Sequence, residues 1–194
     1  MTMKEVFGDF LEDVPTNNEF LMIGFLPYSV PLKQRWRNNG LSADFVADYL
    51  TTFFPAIEEE PASIERKEEI KSAVNYVANE LLDNAMKFND ENARHPVKFG
   101  LHILSRKIVL FSSNCVSGVV LEKFLHFVRQ IISSDTQELY IQQLEMGMEE
   151  NSHDSRLGFL TVINDYGVQL GWKVETLEEK PEITKVTTMA QIII

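Results

Sequence analysis

The chain has 194 residues, of which 44% are hydrophobic, and it carries a formal net charge of -11. This length can bury one sizeable core, so we expect a single domain over residues 1–194 with an N-terminal extension at 1–18. The acidity argues against a nucleic-acid partner, because it repels phosphate backbones. No apolar run reaches the roughly 20 residues that cross a bilayer, the N-terminus lacks a signal-peptide pattern, and Cys115 is the one cysteine. We therefore expect a cytoplasmic protein without membrane insertion.

The first half of the chain contains patterns for one short strand and two helices. The apolar run EFLMIGF at 19–25 predicts a buried strand. A helix is predicted over 42–54, with Ser42 as its N-cap. The longest helix is predicted over about 64–88 with Ser63 as its cap, because apolar residues recur there at helical spacing and gather on one side. That side should face the core.

The second half alternates strands and helices. The segments VKFGLHIL and KIVLFSSN alternate in hydrophobicity and predict a hairpin that turns at Ser105-Arg106. Helical periodicity follows over 119–132 and, more weakly, over 138–148, and a further helix is predicted at 159–166. The segments GVQLGWKVETLE and ITKVTTMAQIII predict two last strands. We expect an α+β fold, an α/β sandwich in which helices pack on one face of a largely antiparallel mixed sheet.

One segment, 133–155, is strongly acidic: it contains six carboxylates and no lysine or arginine. A solvated helix face or a mobile loop is the commoner meaning of such a stretch. The functional alternative is a lid over a binding site, or a surface for a basic partner.

Three polar side chains follow one edge of the long predicted helix. On a helical wheel, Glu80, Asn84 and Lys87 lie together beside the apolar stripe, one turn apart. A row of this kind, half in the core, can face an ion or a phosphate in a cleft between helix and sheet. The alternative is a polar edge that simply meets water.

The segment NYVANELLDNAMKF, which carries this row, resembles the N-box of the GHKL (Bergerat-fold, HATPase_c-like) ATPase and kinase superfamily. The resemblance implies that Asn84 helps to hold Mg²⁺ between nucleotide phosphates, since hard oxygen ligands suit that ion. It implies that Glu80 accepts a proton from the attacking hydroxyl. Lys87 would neutralise phosphate charge.

A second segment, SRLGFLTVINDYGVQLGWKVE, resembles the glycine-containing turn, helix and strand of the same superfamily. By that resemblance Gly158 lets backbone N–H groups approach phosphate oxygens at the start of a helix, and Arg156 assists. The alternatives are an ordinary turn for Gly158 and a solvated charge for Arg156.

A third segment departs from the superfamily. Its members usually carry Asp-x-Gly-x-Gly after the second hairpin strand, where the aspartate accepts a hydrogen bond from the adenine amino group. This chain has SSNCVSG, with Asn114 near the aspartate position. An asparagine can accept the same hydrogen bond through its carbonyl oxygen. The alternative is a turn-forming asparagine at the end of a strand.

In element order the chain is most similar to the SiaB-like proteins and other anti-sigma-factor-type serine/threonine kinases. The resemblance implies ATP and Mg²⁺ as cofactors and a STAS-type anti-sigma-factor antagonist as protein partner and substrate, in a bacterial partner-switching system, with a homodimer as a further possibility. The alternative function is a degenerate GHKL domain that binds a protein partner without nucleotide chemistry.

Overall fold

The computed structural model describes residues 4–15, 19–26, 39–54, 60–90, 92–150, 157–179 and 182–194. The strands are β1 (Lys4–Gly8), β2 (Phe20–Phe25), β3 (Val97–Leu104), β4 (Lys107–Val116), β5 (Gln169–Glu179) and β6 (Glu182–Ile193). The helices are α1 (Asn39–Thr51), α2 (Pro61–Lys87), α3 (Gly118–Ser133), α4 (Thr136–Glu150) and α5 (Leu157–Tyr166). None of these helices is both long and apolar enough to span a membrane.

The six strands form one antiparallel sheet in the order β1-β5-β6-β4-β3-β2, and the helices pack on one of its faces. This arrangement confirms the predicted fold class. The predicted hairpin is β3 and β4, whose alternating residues Phe99, Leu101, Ile108 and Leu110 are fully buried beneath the helices.

The core centres on α2, whose apolar stripe lies against the sheet. Val74, Val77, Ala78, Leu81 and Leu82 recur every three or four residues and are fully buried or nearly so. Burial of each large aliphatic side chain contributes about 1.5–3 kcal/mol. The stripe therefore fixes how α2 is rotated about its axis, and with it which polar residues face inward.

The predicted helix starts need correction. Helix α2 begins at Pro61, and its N-cap is Glu60 without a side-chain capping hydrogen bond, so Ser63 lies inside the first turn. Proline suits the first helical position because its φ is already helical and its missing N–H has no partner there anyway. Helix α1 begins at Asn39, which places Ser42 inside the helix as well.

The strand at Phe20–Phe25 was predicted to be buried, and this prediction was wrong. It is an edge strand whose residues alternate between half-buried and exposed, with Phe20 55% and Met22 48% exposed. The helices cover only one face of the sheet at this edge. An apolar run by itself does not distinguish an edge strand from a central one.

The segment set apart as an N-terminal extension contributes to the sheet. Lys4–Gly8 pairs with β5 as the opposite edge strand. The chain then crosses the second face of the sheet, where the Asp9 N–H donates to the Leu170 carbonyl (2.9 Å) and the Leu11 N–H to Met189 Sδ (3.3 Å). This crossing covers β5 and β6 on the face that the helices leave open.

A glycine on the same open face makes a specific cross-strand contact. Gly100 lies opposite Phe111, and the Phe111 ring occupies the space that a Cβ at position 100 would need. The ring also stacks on His102, with centroids 5.8 Å apart. An aromatic ring over a strand glycine covers backbone that the glycine would leave exposed.

We expect Gly100→Ala to destabilise the fold by about 1–3 kcal/mol, because the added methyl group must displace the Phe111 ring. Gly24→Ala is the matched control: at this strand glycine, no atom lies within 4 Å of the position that a Cβ would take. That change should be neutral or stabilise by up to about 1 kcal/mol. Urea denaturation of both variants tests the contact, and equal effects would contradict it.

Candidate functional site

A cavity of about 180 Å³ lies between the C-terminal half of α2, the helix α3 and the strands β4 and β6. Its lining is mainly apolar and aromatic, with a few polar groups contributed by both the helices and the strands. The lining residues are Asn84, Ala85, Phe88, Ser112, Asn114, Val116, Val120, Lys123, Phe124, Phe127, Phe159, Val186 and Thr188. Apolar walls with a few polar groups are typical of small-molecule sites.

Asn84 reaches this cavity from α2. Its Nδ2 donates to the backbone carbonyl of Glu80, one turn earlier, at 2.8 Å. This bond fixes the orientation of the amide, and Oδ1 makes no hydrogen bond to any residue that the structure describes. The oxygen that a cation would need is therefore the atom left available.

Asn114 reaches the same cavity from β4, on the sheet side. The residue is 8% exposed, and its Nδ2 is buried without a hydrogen-bond partner among the described residues. A buried donor without a partner costs about 1–3 kcal/mol, so few are retained without a reason. Asn84 and Asn114, which two separate motifs singled out, thus line one cavity.

Asn89 is a useful contrast to Asn114, because it is also 8% exposed. Its Oδ1 accepts from the Cys115 N–H at 3.1 Å, and its Nδ2 donates to the Asp90 carbonyl at 3.0 Å. Its amide is satisfied inside the protein. Asn89 is therefore a structural asparagine, whereas the Asn114 Nδ2 has no hydrogen-bond partner among the described residues.

The carboxylate of Glu80 lies outside the cavity lining, directly against Gly158 in the first turn of α5. A Cβ at position 158 would collide with Glu80 Oε2. Partial burial, and to a smaller degree the charge of Asp83, raise the pKa of Glu80 above its ordinary value. The glycine and the carboxylate, predicted from different motifs, are thus neighbours.

The remaining predicted residues are placed differently. Lys87 is exposed, its Nζ lies 5.0 Å from the centre of the Phe88 ring, and it does not line the cavity. Arg156 lies outside the described residues. The structure therefore brings together Asn84 with Asn114, and Glu80 with Gly158, but it does not bring Lys87 to the cavity.

Sequence reasoning missed Lys123, which lines the cavity from α3 and forms no ion pair within the described parts of the chain. It follows Val120 by three residues and precedes Phe124 and Phe127, which also line the cavity. A lysine inside an apolar stripe at helical spacing is the signal that could have identified it. It supplies a positive charge at a mainly apolar cavity.

The acidic segment is helical where the structure describes it, as α4. Asp135 caps this helix by accepting from the backbone N–H groups of Gln137 (2.9 Å) and Glu138 (3.1 Å). Thr136 then bonds to Asn164 of α5 at 2.7 Å. The start of the acidic segment is therefore docked on the fold, and the stretch 151–156 lies beyond the described residues.

We expect Asn114→Leu to leave the ligand-free protein as stable as the original or more stable by about 1 kcal/mol, because it removes an unsatisfied buried amide. Asn89→Leu should destabilise the fold by about 1–3 kcal/mol, because it removes a buried amide that makes two hydrogen bonds within the protein. Urea denaturation without ligand compares the two. A large loss of stability in Asn114→Leu would show that its amide has a structural partner.

The raised pKa of Glu80 makes the folded state bind a proton more tightly than the unfolded state does. Below the ordinary value of 4.5 both states are protonated and Glu80 costs nothing. As pH rises above that value, the ionised form appears first in the unfolded state, so stability is lost until pH passes the folded pKa. Glu80→Gln should therefore gain stability over the original as pH rises above the ordinary value of 4.5 in denaturation experiments, and a pH-independent difference would contradict this assignment.

No protein-family model matches the sequence, and no curated protein matches it. Among solved structures, the chain is similar to a chain of the crystal structure of the SiaB-SiaC complex from Pseudomonas aeruginosa, with a TM-score of 0.54 and 15% sequence identity. The match covers 90% of this chain and 89% of that chain. At this identity the likeness establishes a shared fold, and it does so over nearly the whole length of both chains.

Proposed function

We propose that this protein is a GHKL-type regulator of a bacterial partner-switching system, which binds Mg-ATP in the described cavity and phosphorylates a serine or threonine of a STAS-type anti-sigma-factor antagonist. The fold shared with a component of the SiaB-SiaC complex supports a role in such a system. The side chains that line the cavity support nucleotide binding.

One observation carries this proposal: Asn84 and Asn114, from motifs on different elements, line the same cavity, and the Asn84 Oδ1 and the Asn114 Nδ2 make no hydrogen bond to any described residue. The aromatic rings of Phe88, Phe124 and Phe127 provide apolar surface for a purine. Asn84 Oδ1 is a hard oxygen ligand, and Mg²⁺ usually keeps several waters, so one protein ligand is enough. The donor set and the walls therefore fit an adenine nucleotide with its metal.

In the proposed reaction, Lys123 and Glu80 have different roles. Phosphoryl transfer depends chiefly on positioning and on neutralising charge, and the bound metal ion supplies much of the neutralisation. Lys123 adds a positive charge at the same cavity. Glu80, as a half-buried carboxylate with a raised pKa, accepts the proton of the attacking hydroxyl more readily than an exposed carboxylate would.

A second candidate is a binding module that takes a protein partner without nucleotide chemistry. The position of Glu80 favours it, because the carboxylate lies against Gly158 rather than in the cavity lining. In that case the cavity would be the remnant of a nucleotide-binding site. Nucleotide binding separates the two candidates.

We expect millimolar Mg-ATP to raise the melting temperature, because a ligand of the folded state stabilises it by about 2.7 kcal/mol at a hundredfold excess over Kd. Asn84→Ala should lose the magnesium-dependent part of this shift. Asn75→Ala is the control, since Asn75 lies on the same helix but bonds to Asp44 on the surface. No shift in the original protein would favour the binding module.

Glu80→Gln should keep the Mg-ATP shift and lower phosphoryl transfer by about 100-fold or more, because it removes the proton acceptor but does not alter the cavity lining. Gly158→Ala should act in the same direction by displacing the carboxylate. Transfer is measured by mass spectrometry on STAS-domain proteins from the same genome. Full transfer by Glu80→Gln would refute the base assignment.

A further inference from the structure

The polar floor of the cavity consists of Asn114 and Ser112 on β4 and Thr188 on β6, which pairs with Ser112. An amide and two hydroxyls can each donate and accept hydrogen bonds. Among the residues that the structure describes, no carboxylate lines this cavity. The side chains of the floor therefore do not impose a fixed pattern of donors and acceptors on a ligand.

The Asn114 amide carries a buried nitrogen that lacks a hydrogen-bond partner. No residue in the described parts of the chain holds its Nδ2, whereas Asn84 and Asn89 have theirs fixed by hydrogen bonds. Rotation of an unheld amide by half a turn about χ2 exchanges the positions of its oxygen and its nitrogen. Asn114 can thus present either an acceptor or a donor to a ligand.

This freedom matters at position six of a purine ring. Adenine has an amino group there, which donates, beside a ring nitrogen that accepts. Guanine has a carbonyl there, which accepts, beside a ring N–H that donates. A carboxylate only accepts, so with the purine in one orientation it pairs with adenine and repels guanine. After rotation about χ2, an amide can either accept a hydrogen bond from the adenine amino group or donate one to the guanine carbonyl.

We propose that Asn114 makes this cavity accept guanine nucleotides as well as adenine nucleotides, so that the phosphate donor is a purine nucleoside triphosphate rather than ATP alone. The proposal rests on the nucleotide binding proposed above and extends it to the choice of base. Asn114 is then the residue that determines specificity, because it is the buried group whose donor and acceptor can exchange.

The test is the ratio of dissociation constants for non-hydrolysable GTP and ATP analogues, measured by calorimetry with Mg²⁺. The original protein should bind both within about tenfold of each other. Asn114→Asp should weaken the GTP analogue and raise the ratio by at least about tenfold, since its carboxylate cannot donate a hydrogen bond to the guanine carbonyl. Asn114→Ala should weaken both analogues and leave the ratio unchanged, and it serves as the second variant if the aspartate form does not fold.

The outcomes separate this inference from the proposed function. Tight binding of the ATP analogue with at least hundredfold weaker binding of the GTP analogue in the original protein would overturn the base inference alone. An Asn114→Asp ratio equal to that of the original protein would also overturn it. If neither analogue binds the original protein, the nucleotide function fails and the base inference fails with it.

Discussion

The packing of one helix stripe against one sheet face determines the rest of this structure. Because Val77, Leu81 and Leu82 are buried to within 1% of full burial, α2 cannot rotate about its axis without exposing them. The polar edge beside the stripe is then fixed in direction. Asn84 is carried to the cavity and Glu80 to the first turn of α5, so two positions one turn apart come to lie in different surroundings.

The cavity itself follows from a mismatch between the layers. On β4 and β6, the helix-facing positions near the cavity are occupied by Ser112, Asn114 and Thr188 rather than by large apolar residues. Elsewhere the same face carries Leu101, Ile108 and Leu110, which fill the space under the helices. Small or polar residues in a core layer leave both room and unsatisfied hydrogen-bonding groups. Retaining them lowers the stability of the ligand-free protein, which is the usual mark of a binding region.

Much of the fold could be predicted from the sequence, because helices and strands here have strong and different periods. The stripe of α2 and the β3-β4 hairpin followed from this. The helix starts and the exposure of β2 could not be predicted. A helix can begin without a side-chain cap, as α2 does at Pro61, and an apolar run does not show how many strands flank it in the sheet. The motifs identified the cavity's two asparagines, whereas Lys123 was missed although it lies at helical spacing among the apolar residues of α3 that also line the cavity.

The sheet order has a consequence for how the chain reaches its native state. Strand β6, which follows all the other described strands in sequence, lies in the interior of the sheet between β5 and β4, and β1 pairs only with β5. The first strand therefore has no partner until β5 has left the ribosome, and the two halves of the sheet cannot join before β6 arrives. Such distant pairings slow folding, because the chain loses the entropy of closing a long loop before the stabilising contacts between the strands can form. During synthesis the edge of β4 that pairs with β6 stays unpaired until β6 has been made, and unpaired strand edges of this kind favour aggregation.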